Sequence, residues 1–201
     1  MSNIIAPSKT LGYTSIFLDF LTGSGPARSF FHASGPQEVA AGLDGLDYDR
    51  SALVDILVAQ NQLYRASGKT FENINKLRKD DAVCVFAGQQ AGLFGGPLLV
   101  MHKALAVVKA AAEYERQLGR PVVPMFWIAG DDHDFEEVNH TFVTNRASEV
   151  ARISYDTPPD VAVSVSKVVC VDENALAKAK DSLKQSLGET DFTGELYDLI
   201  D

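Results

Sequence analysis

The fold is decided by residues 82–98, which read AVCVFAGQQAGLFGGPL. The first six residues form a nearly continuous apolar run, which is typical of a β-strand buried on both faces. A glycine-rich turn follows at Gly88–Gly96, and Pro97 suits the first position of a helix. That helix is predicted to run to about Leu118 and to stop at Gly119. The stretch therefore predicts a strand, a tight turn and a long helix.

A second apolar run, at Val122–Ala129, follows this helix and predicts a second strand. A strand, a helix and a strand within about 50 residues make a βαβ unit, whose strands are parallel and whose crossover is right-handed. We therefore expect an α/β fold with a parallel βαβ unit. Beyond His140 we expect a small mixed β/α extension. Its strands are predicted at Thr141–Thr144, Val150–Tyr155 and Val161–Val169, and its helices at Asn174–Leu187, with Asp172 as the cap, and at Phe192–Asp201.

The residues before the βαβ unit are predicted to supply packing helices. One helix is expected from about Arg50 to Ala66 with Asp49 as its N-cap, and a second from Phe71 to Arg78 with Thr70 as its cap. The first 35 residues are rich in Gly, Ser and Pro and are expected to be irregular. Along the chain we expect three parts. Residues 1–80 are expected to form an irregular segment with packing helices, and residues 81–145 the βαβ core with both motifs. Residues 146–201 are expected to form a partial core extension or a connecting segment.

Composition restricts the classes of partner. The chain of 201 residues carries 27 acidic against 18 basic side chains, a formal net charge of −9, whereas binding to a phosphate backbone needs a basic face. No apolar run approaches the roughly 20 residues that cross a bilayer. Two cysteines, Cys84 and Cys170, are too few for a disulfide framework or a zinc site. We expect a cytoplasmic protein that binds neither nucleic acid nor membrane.

The glycine-rich turn is the first segment that could carry chemistry, because ligands of open α/β sheets bind beyond the carboxyl ends of the strands. Gly88 and Gly92 would let the backbone approach a ligand closely. Gln89 and Gln90 bring amide donors and acceptors to the same rim, and Lys103 on the following helix could reach a phosphate or a carboxylate.

This first segment also has a plainer interpretation. It is neither a GxGxxG fingerprint nor a P-loop, since the GK[ST] ending is absent. A glycine-rich loop with a solvated lysine would need no ligand. Similarly, His102 taken alone is more often a satisfied core or surface histidine than a catalyst.

The second segment that could carry chemistry is residues 127–140, which read WIAGDDHDFEEVNH directly after the second strand. Five carboxylates and two histidines fall within its last ten residues. Clustered carboxylates raise one another's pKa, and a histidine among them gains a stabilised cation, which are conditions that tune a general base toward neutral pH. A solvated charged face is the alternative interpretation.

The residues of this segment also leave two alternative functions open. The run Asp131-Asp132-His133 matches the beginning of many metallophosphoesterases, so a metal-dependent phosphoesterase could use Asp131, His133 and His140. The downstream companions GDxxD and GNH[DE] are absent, however, which leaves only half of a ligand set. The other alternative is a non-catalytic module that binds a nucleotide or a partner chain.

Residues 86–98 with His102-Lys103, followed by residues 121–140, resemble the BshC family, the cysteine ligases of bacillithiol biosynthesis. The resemblance is specific over about residues 80–145 and general on either side. It implies a Rossmann-like core akin to the nucleotide-binding class I synthetases. It further implies that the enzyme joins cysteine to glucosaminyl malate through an amide bond.

The resemblance also implies roles for individual residues. His133 would accept the proton of the attacking amine, with Asp132 and Asp134 lining the same cleft. The cofactor stays unknown, although a nucleotide such as ATP or ADP suits the resemblance, and no metal ligand is included. The implied site consists of catalytic and binding residues, namely His133, Asp132 and Asp134, then Gly88, Gln89, Gln90, Gly92, His102, Lys103 and Asn139.

Members of the family are considerably longer than this chain. We therefore expect an incomplete, N-terminal portion of a longer fold, which could be inactive by itself. The family's helical coiled-coil arm, which promotes homodimerisation, would lie outside the chain. An incomplete sheet would also leave an apolar edge prone to association.

Overall fold

The computed structural model describes most of the chain, namely residues 7–31, 33, 35–156, 164–165 and 172–200. The strand expected at Val161–Val169 falls outside these residues apart from 164–165, and Cys170 also falls outside them. None of the described helices is long and apolar enough to span a bilayer.

In the described residues, four α-helices precede the four short strands, two lie among the strands, and two follow the last strand. The α-helices are α1 (Ser15–Thr22), α2 (Pro36–Leu43), α3 (Arg50–Leu63), α4 (Gly68–Lys76), α5 (Leu98–Leu118), α6 (Phe135–Val138), α7 (Glu173–Ser186) and α8 (Thr193–Ile200). The strands are β1 (Val83–Gln89), β2 (Val122–Ile128), β3 (His140–Thr144) and β4 (Val150–Ser154).

The chain forms two compact units. One unit comprises Met1–Val83 with Ala112–Val123, and the other comprises Cys84–Ala111 with Pro124–Asp201. The division into residues 1–80, 81–145 and 146–201 is a division along the chain and stays a prediction.

The predicted βαβ unit is confirmed as β1, α5 and β2. The two strands share one sheet, and they pair start to start and end to end, because Val83 N–H donates to Pro121 O and Ala129 N–H donates to Gln89 O, both at 3.0 Å. They are therefore parallel. Helix α5 stops as expected at Gly119, whose positive φ of 65° suits the end of a helix.

The expectation that β1 is buried on both faces is wrong, and β2 is fully buried only at its start, at Val122 and Val123. Phe86 on β1 and Trp127 and Ile128 at the end of β2 each expose more than half of their surface. Burial of both faces would require further elements to cover the sheet and extend it. Among the described residues, β1 and β2 have only each other as sheet neighbours. The strands are thus correctly located, but Phe86, Trp127 and Ile128 remain accessible whereas Val122 and Val123 are buried.

The N-terminal region is more helical than expected. Ser15–Thr22 was expected to be irregular but forms α1, because Thr14 Oγ1 accepts from Phe17 N–H and the φ of 64° at Gly23 ends the helix. The predicted start of α3 is confirmed, with Asp49 Oδ1 accepting from Ala52 N–H at 2.9 Å. Its end, at Leu63, comes three residues earlier than expected.

Helix α4 also differs from its prediction. It begins at Gly68 rather than at Phe71, and Ser67 rather than Thr70 occupies the N-cap position. The prediction began the helix at its first apolar residue, Phe71, and so placed the cap too late. Ser67 is at least as good a capping residue by type as Thr70, although it gives no side-chain capping hydrogen bond here.

Arg50 ties α3 to the segment that leads into β1. Its Nη1 donates to Leu77 O and Ala82 O, both at 3.3 Å, and its Nη2 donates to Asp80 O at 2.9 Å. One guanidinium therefore satisfies three backbone carbonyls between α4 and the strand. This contact fixes the segment from which β1 departs.

The second unit contains the β3–β4 hairpin with α7 packed against it. The strands are antiparallel, with Thr141 opposite Ile153, and Ile153 forms a buried cluster with Ala179 and Leu183 of α7. The predicted cap of α7 is confirmed, because Asp172 Oδ1 accepts from two backbone N–H groups at 3.0 Å. The small mixed β/α extension expected after His140 is thereby confirmed in its described part.

We expect Arg50→Ala to lower the free energy of unfolding by about 1.5 kcal/mol or more, because three carbonyls lose a charged donor. The matched control is Arg78→Ala, which removes an exposed ion pair to Asp55 and should lower it by less than about 1 kcal/mol. Urea unfolding followed by circular dichroism measures both. Equal losses in the two variants would contradict the role given to Arg50.

Candidate functional site

The ends of β1 and β2 approach each other closely at Gly88. A Cβ added to Gly88 would lie 2.9 Å from Trp127 O and 3.2 Å from Trp127 Cβ, so a larger residue would push the strands apart. The pairing continues one step further, where Ala129 N–H donates to Gln89 O. The loops that follow the two strands therefore begin side by side.

A chain of side-chain hydrogen bonds starts at Lys103 on α5. The Lys103 Nζ donates to Gln89 Oε1 at 2.6 Å and to Gly88 O at 3.4 Å. The Gln89 amide nitrogen donates in turn to Gln90 Oε1. The lysine is partly buried, and its ammonium group keeps one of three N–H donors beyond these two contacts.

Gln90 connects this chain to the acidic loop after β2. Its amide nitrogen donates to Asp132 Oδ2 at 3.0 Å and to Glu137 Oε2 at 3.1 Å. An amide nitrogen has two N–H groups, so Gln90 can serve both carboxylates at once. The loops after β1 and β2 are thus joined, and we call Lys103, Gln89, Gln90, Asp132 and Glu137 the glutamine network.

Asp132 is held in its anionic form. Hydrogen bonding from Gln90 lowers the pKa of the Asp132 carboxyl, and the backbone N–H groups of Asp134 and His133 lower the pKa further by donating to its Oδ1. The nearby His133 imidazole contributes a smaller lowering. Donors to the charged form favour that form, so Asp132 can present a negative charge to a cationic group.

His133 and Asp134 flank Asp132 in different ways. The His133 Nδ1 atom lies 3.7 Å from Asp132 Oδ1, and 81% of its side chain is exposed. Asp134 caps α6, since its Oδ1 accepts from Glu137 N–H at 3.1 Å. The geometry gives Asp134 a local structural task and leaves the imidazole accessible to a solute.

Three other residues of the expected site lie outside the glutamine network. His102 is exposed and forms no hydrogen bond with the network in the described part of the chain. The Asn139 Oδ1 atom contacts His140 Nδ1 at 3.0 Å, and Asn139 O accepts from Tyr155 N–H. Gly92 shapes its own loop, because an added Cβ would lie 2.8 Å from Gly96 Cα.

The glycine-rich turn uses several of its backbone N–H groups in hydrogen bonds within the turn, whereas a phosphate-binding loop directs such groups at the ligand. The N–H groups of Gly92, Gly95 and Gly96 donate to carbonyls within the turn, at 3.0 Å each. The donors left for an anionic ligand come chiefly from Lys103. The residues therefore fit one phosphate or carboxylate group of a ligand at Lys103 rather than a full P-loop grip on a nucleotide.

The opposite end of the network suits a cation. Asp132 and Glu137 each accept from Gln90 and retain further lone pairs, so together they can bind an ammonium group. Among the residues that the structure describes, no group of three or more His, Cys, Asp or Glu could hold a metal ion. The described part of the chain thus does not assemble Asp131, His133 and His140 as a ligand set.

Glu137 is the member of the network that the expected site did not include. The sequence places it among the five clustered carboxylates, but nothing in the local pattern separates it from Glu136. The usable signal is its spacing of three residues from Asp134, since a capped short helix turns this carboxylate toward Gln90.

Parallel strands with a crossover helix and polar loops at their carboxyl ends define a Rossmann-like α/β domain. Residues 2–201 match the family described as "Bacillithiol biosynthesis BshC, N-terminal Rossmann-like domain". The chain belongs to this family, as the resemblance of its two motifs led us to expect.

Three named proteins that are similar to this chain carry the same family name. A protein of Geobacillus kaustophilus is 39% identical over 188 residues, which cover 91% of this chain and 34% of the relative. A protein of Oceanobacillus iheyensis is 36% identical over 171 residues, covering 82% and 30%, and one of Bacillus cereus is 37% identical over 155 residues, covering 77% and 28%. Each bears the name "Putative cysteine ligase BshC". The chain spans about a third of the length of these relatives.

We expect Gln90→Leu to raise the pKa of Asp132 toward the ordinary value of about 3.9, because the largest cause of its lowering is removed. The measurement is an NMR titration of the Asp132 carboxyl carbon. A lowered pKa in the folded state stabilises the protein above the unfolded-state pKa, and this contribution is lost as the pH falls through the folded value. The acid limb of the stability curve should therefore flatten in the variant, and an unchanged pKa would contradict the contact.

Gly88→Ala should lower the free energy of unfolding by about 1–3 kcal/mol, because the new methyl group meets the backbone of β2. Gly194→Ala in α8 is the matched control, since an added Cβ there meets nothing within 4 Å, and its stability should stay the same or rise slightly. Thermal unfolding distinguishes the two variants. Equal stability of Gly88→Ala and the parent would show that the strand ends are not in contact.

Proposed function

We propose that this domain forms part of a ligase that joins the carboxyl group of cysteine to the amine of glucosaminyl malate in bacillithiol biosynthesis. The observation that carries the proposal is the glutamine network, which offers an ammonium group at one end and two carboxylates at the other. Membership of the BshC family agrees with this chemistry. Both substrates contain an amine and at least one carboxylate.

The carboxylate end of the network would bind the attacking amine. An ammonium group has three N–H donors, and Asp132 and Glu137 lie near enough to share Gln90, so the substrate could bridge them. Asp132 is suited to this task because its lowered pKa keeps it negative throughout the neutral range. Asn139 would lie at the edge of the same site.

The amine must lose a proton before its nitrogen can attack. His133 is the proposed acceptor, since imidazole exchanges protons near neutral pH and its ring is accessible beside Asp132. A C–N bond would form between the substrate nitrogen and the carboxyl carbon of the cysteine once a nucleotide had activated that carboxylate. The C–O bond to the activating group would break, and the oxygen would leave with the phosphate-containing group taken from the nucleotide. Asp134 would support the loop that presents His133, acting as the cap of α6.

The lysine end of the network would bind an anionic group. Lys103 keeps one N–H for a carboxylate or phosphate oxygen, and Gln89 fixes the direction of the ammonium group. A nucleotide such as ATP would, when bound, supply the activation that a carboxylate needs as an electrophile. Gly88, Gly92 and His102 complete the proposed binding loop.

The proposal covers the whole protein as well as this domain. The whole protein would act in the cytoplasm as a homodimer, joined through a helical arm outside the described residues. The non-catalytic alternative, a nucleotide-binding module, would be favoured by nucleotide binding without amide formation under any assay condition.

We expect Asp132→Asn, in the protein that carries this domain, to lower kcat/KM for glucosaminyl malate by about tenfold or more, because the amine loses a charged partner. His133→Ala should lower kcat by about 10²–10⁴-fold. Asp131→Asn is the matched control, since this exposed neighbour lies outside the glutamine network, and its activity should be retained. Mass-spectrometric detection of the thiol product follows all three variants. Full activity of His133→Ala would refute its role, and equal losses in the two Asp variants would refute the binding role of Asp132.

A further inference from the structure

A polar groove lies between the β3–β4 hairpin and the C-terminal end of α7. Its volume is about 430 Å³, and its polar lining includes Arg146, Arg152, Ser182, Gln185 and Ser186. No carboxylate is among the described residues that line it, although the chain carries a net charge of −9. None of the lining residues belongs to the glutamine network.

Arg146 is oriented by a single backbone contact. Its Nε donates to Leu187 O at 2.9 Å, just beyond the end of α7. A guanidinium has five N–H donors, and the four on its terminal nitrogens form no further hydrogen bond within the described residues. The contact therefore fixes the side chain and leaves its fork for a ligand.

The hairpin loop that carries Arg146 is rigidly built. Asn145 Oδ1 accepts from the N–H groups of Ala147 and Glu149, both at 2.9 Å. The backbone closes the same loop, with Asn145 N–H donating to Glu149 O at 2.8 Å. A site that is fixed before binding loses less conformational entropy when the ligand arrives.

The edge of β4 opposite β3, which pairs with no other strand of the described residues, carries a backbone donor beside the groove. The hydrogen-bonded pairs at the two ends of the hairpin are Asn139 with Tyr155 and Asn145 with Glu149. Hydrogen-bonded and non-hydrogen-bonded pairs alternate, so Arg152 belongs to a non-hydrogen-bonded pair and its N–H points away from β3. The edge of a sheet with such donors favours anions.

We propose that this groove binds a small organic anion with a carboxylate or phosphate head group. The head group would engage the guanidinium fork of Arg146, assisted by the hydroxyl groups of Ser182 and Ser186 and by the positive charge of Arg152. A volume of about 430 Å³ exceeds that of a bare oxyanion and falls in the range of small-molecule sites. Apolar lining from Ala151 and Ile153 would contact the body of the ligand.

The test is an NMR titration of the ¹⁵N-labelled 201-residue chain with phenyl phosphate and, separately, with benzoate. Backbone signals of residues 145–153 and 182–187 should shift with at least one probe, and the stronger probe identifies the head group as phosphate or carboxylate. Arg146→Gln should weaken binding about tenfold or more. Lys178→Gln removes one positive charge from α7 outside the groove lining and should leave binding unchanged.

A second variant keeps the proposal testable if Arg146→Gln fails to fold. Ser186→Ala keeps the Arg146–Leu187 contact, and it should weaken binding about twofold to tenfold because one neutral hydrogen bond is lost. Equal weakening by Arg146→Gln and Lys178→Gln would mean that only the general charge attracts the probe. That result, or the absence of shifts in both segments with both probes, would overturn the proposal without affecting the proposed ligase site.

Discussion

The side-chain amide of Gln90 is the contact on which the candidate site depends. Two carboxylates, Asp132 and Glu137, would repel each other if nothing lay between them, and Gln90 gives each of them an N–H donor. The same glutamine is connected through Gln89 to the ammonium group of Lys103. A single hydrogen-bonded path thus runs from a cation to a pair of anions, across two loops that are separate in sequence.

The parallel pairing of β1 and β2 makes this path possible. Because both strands end at the same edge of the sheet, both loops leave from neighbouring points. Gly88 allows the close approach, since any Cβ would meet the β2 backbone. Ligation of an amine to a carboxyl group needs both substrates to be oriented, and a site with opposite charges at its two ends can orient molecules that carry both groups. The fold and the proposed chemistry are therefore linked through strand pairing.

Much of the fold could be predicted because its signals are local. The apolar runs and the glycine-rich turn located β1, α5 and β2, and the carboxylates of Asp49 and Asp172 correctly marked the starts of α3 and α7. The prediction failed where the outcome depends on other parts of the molecule. Burial of β1 and β2 needs covering layers that a strand's own residues cannot specify, and Ser67 begins α4 without the side-chain bond by which caps are recognised.

The sequence indicates the two segments that form the candidate site, but it does not indicate the contacts between their side chains. The sequence places both loops at the carboxyl end of the sheet, yet Gln90 and Glu137 are 47 residues apart, and no local pattern pairs them. The most direct measurement is a crystal structure of the protein that carries this domain, bound to glucosaminyl malate. We expect the glucosamine nitrogen to lie within hydrogen-bond distance of Asp132 or Glu137. A substrate bound elsewhere, with the glutamine network intact and empty, would contradict it.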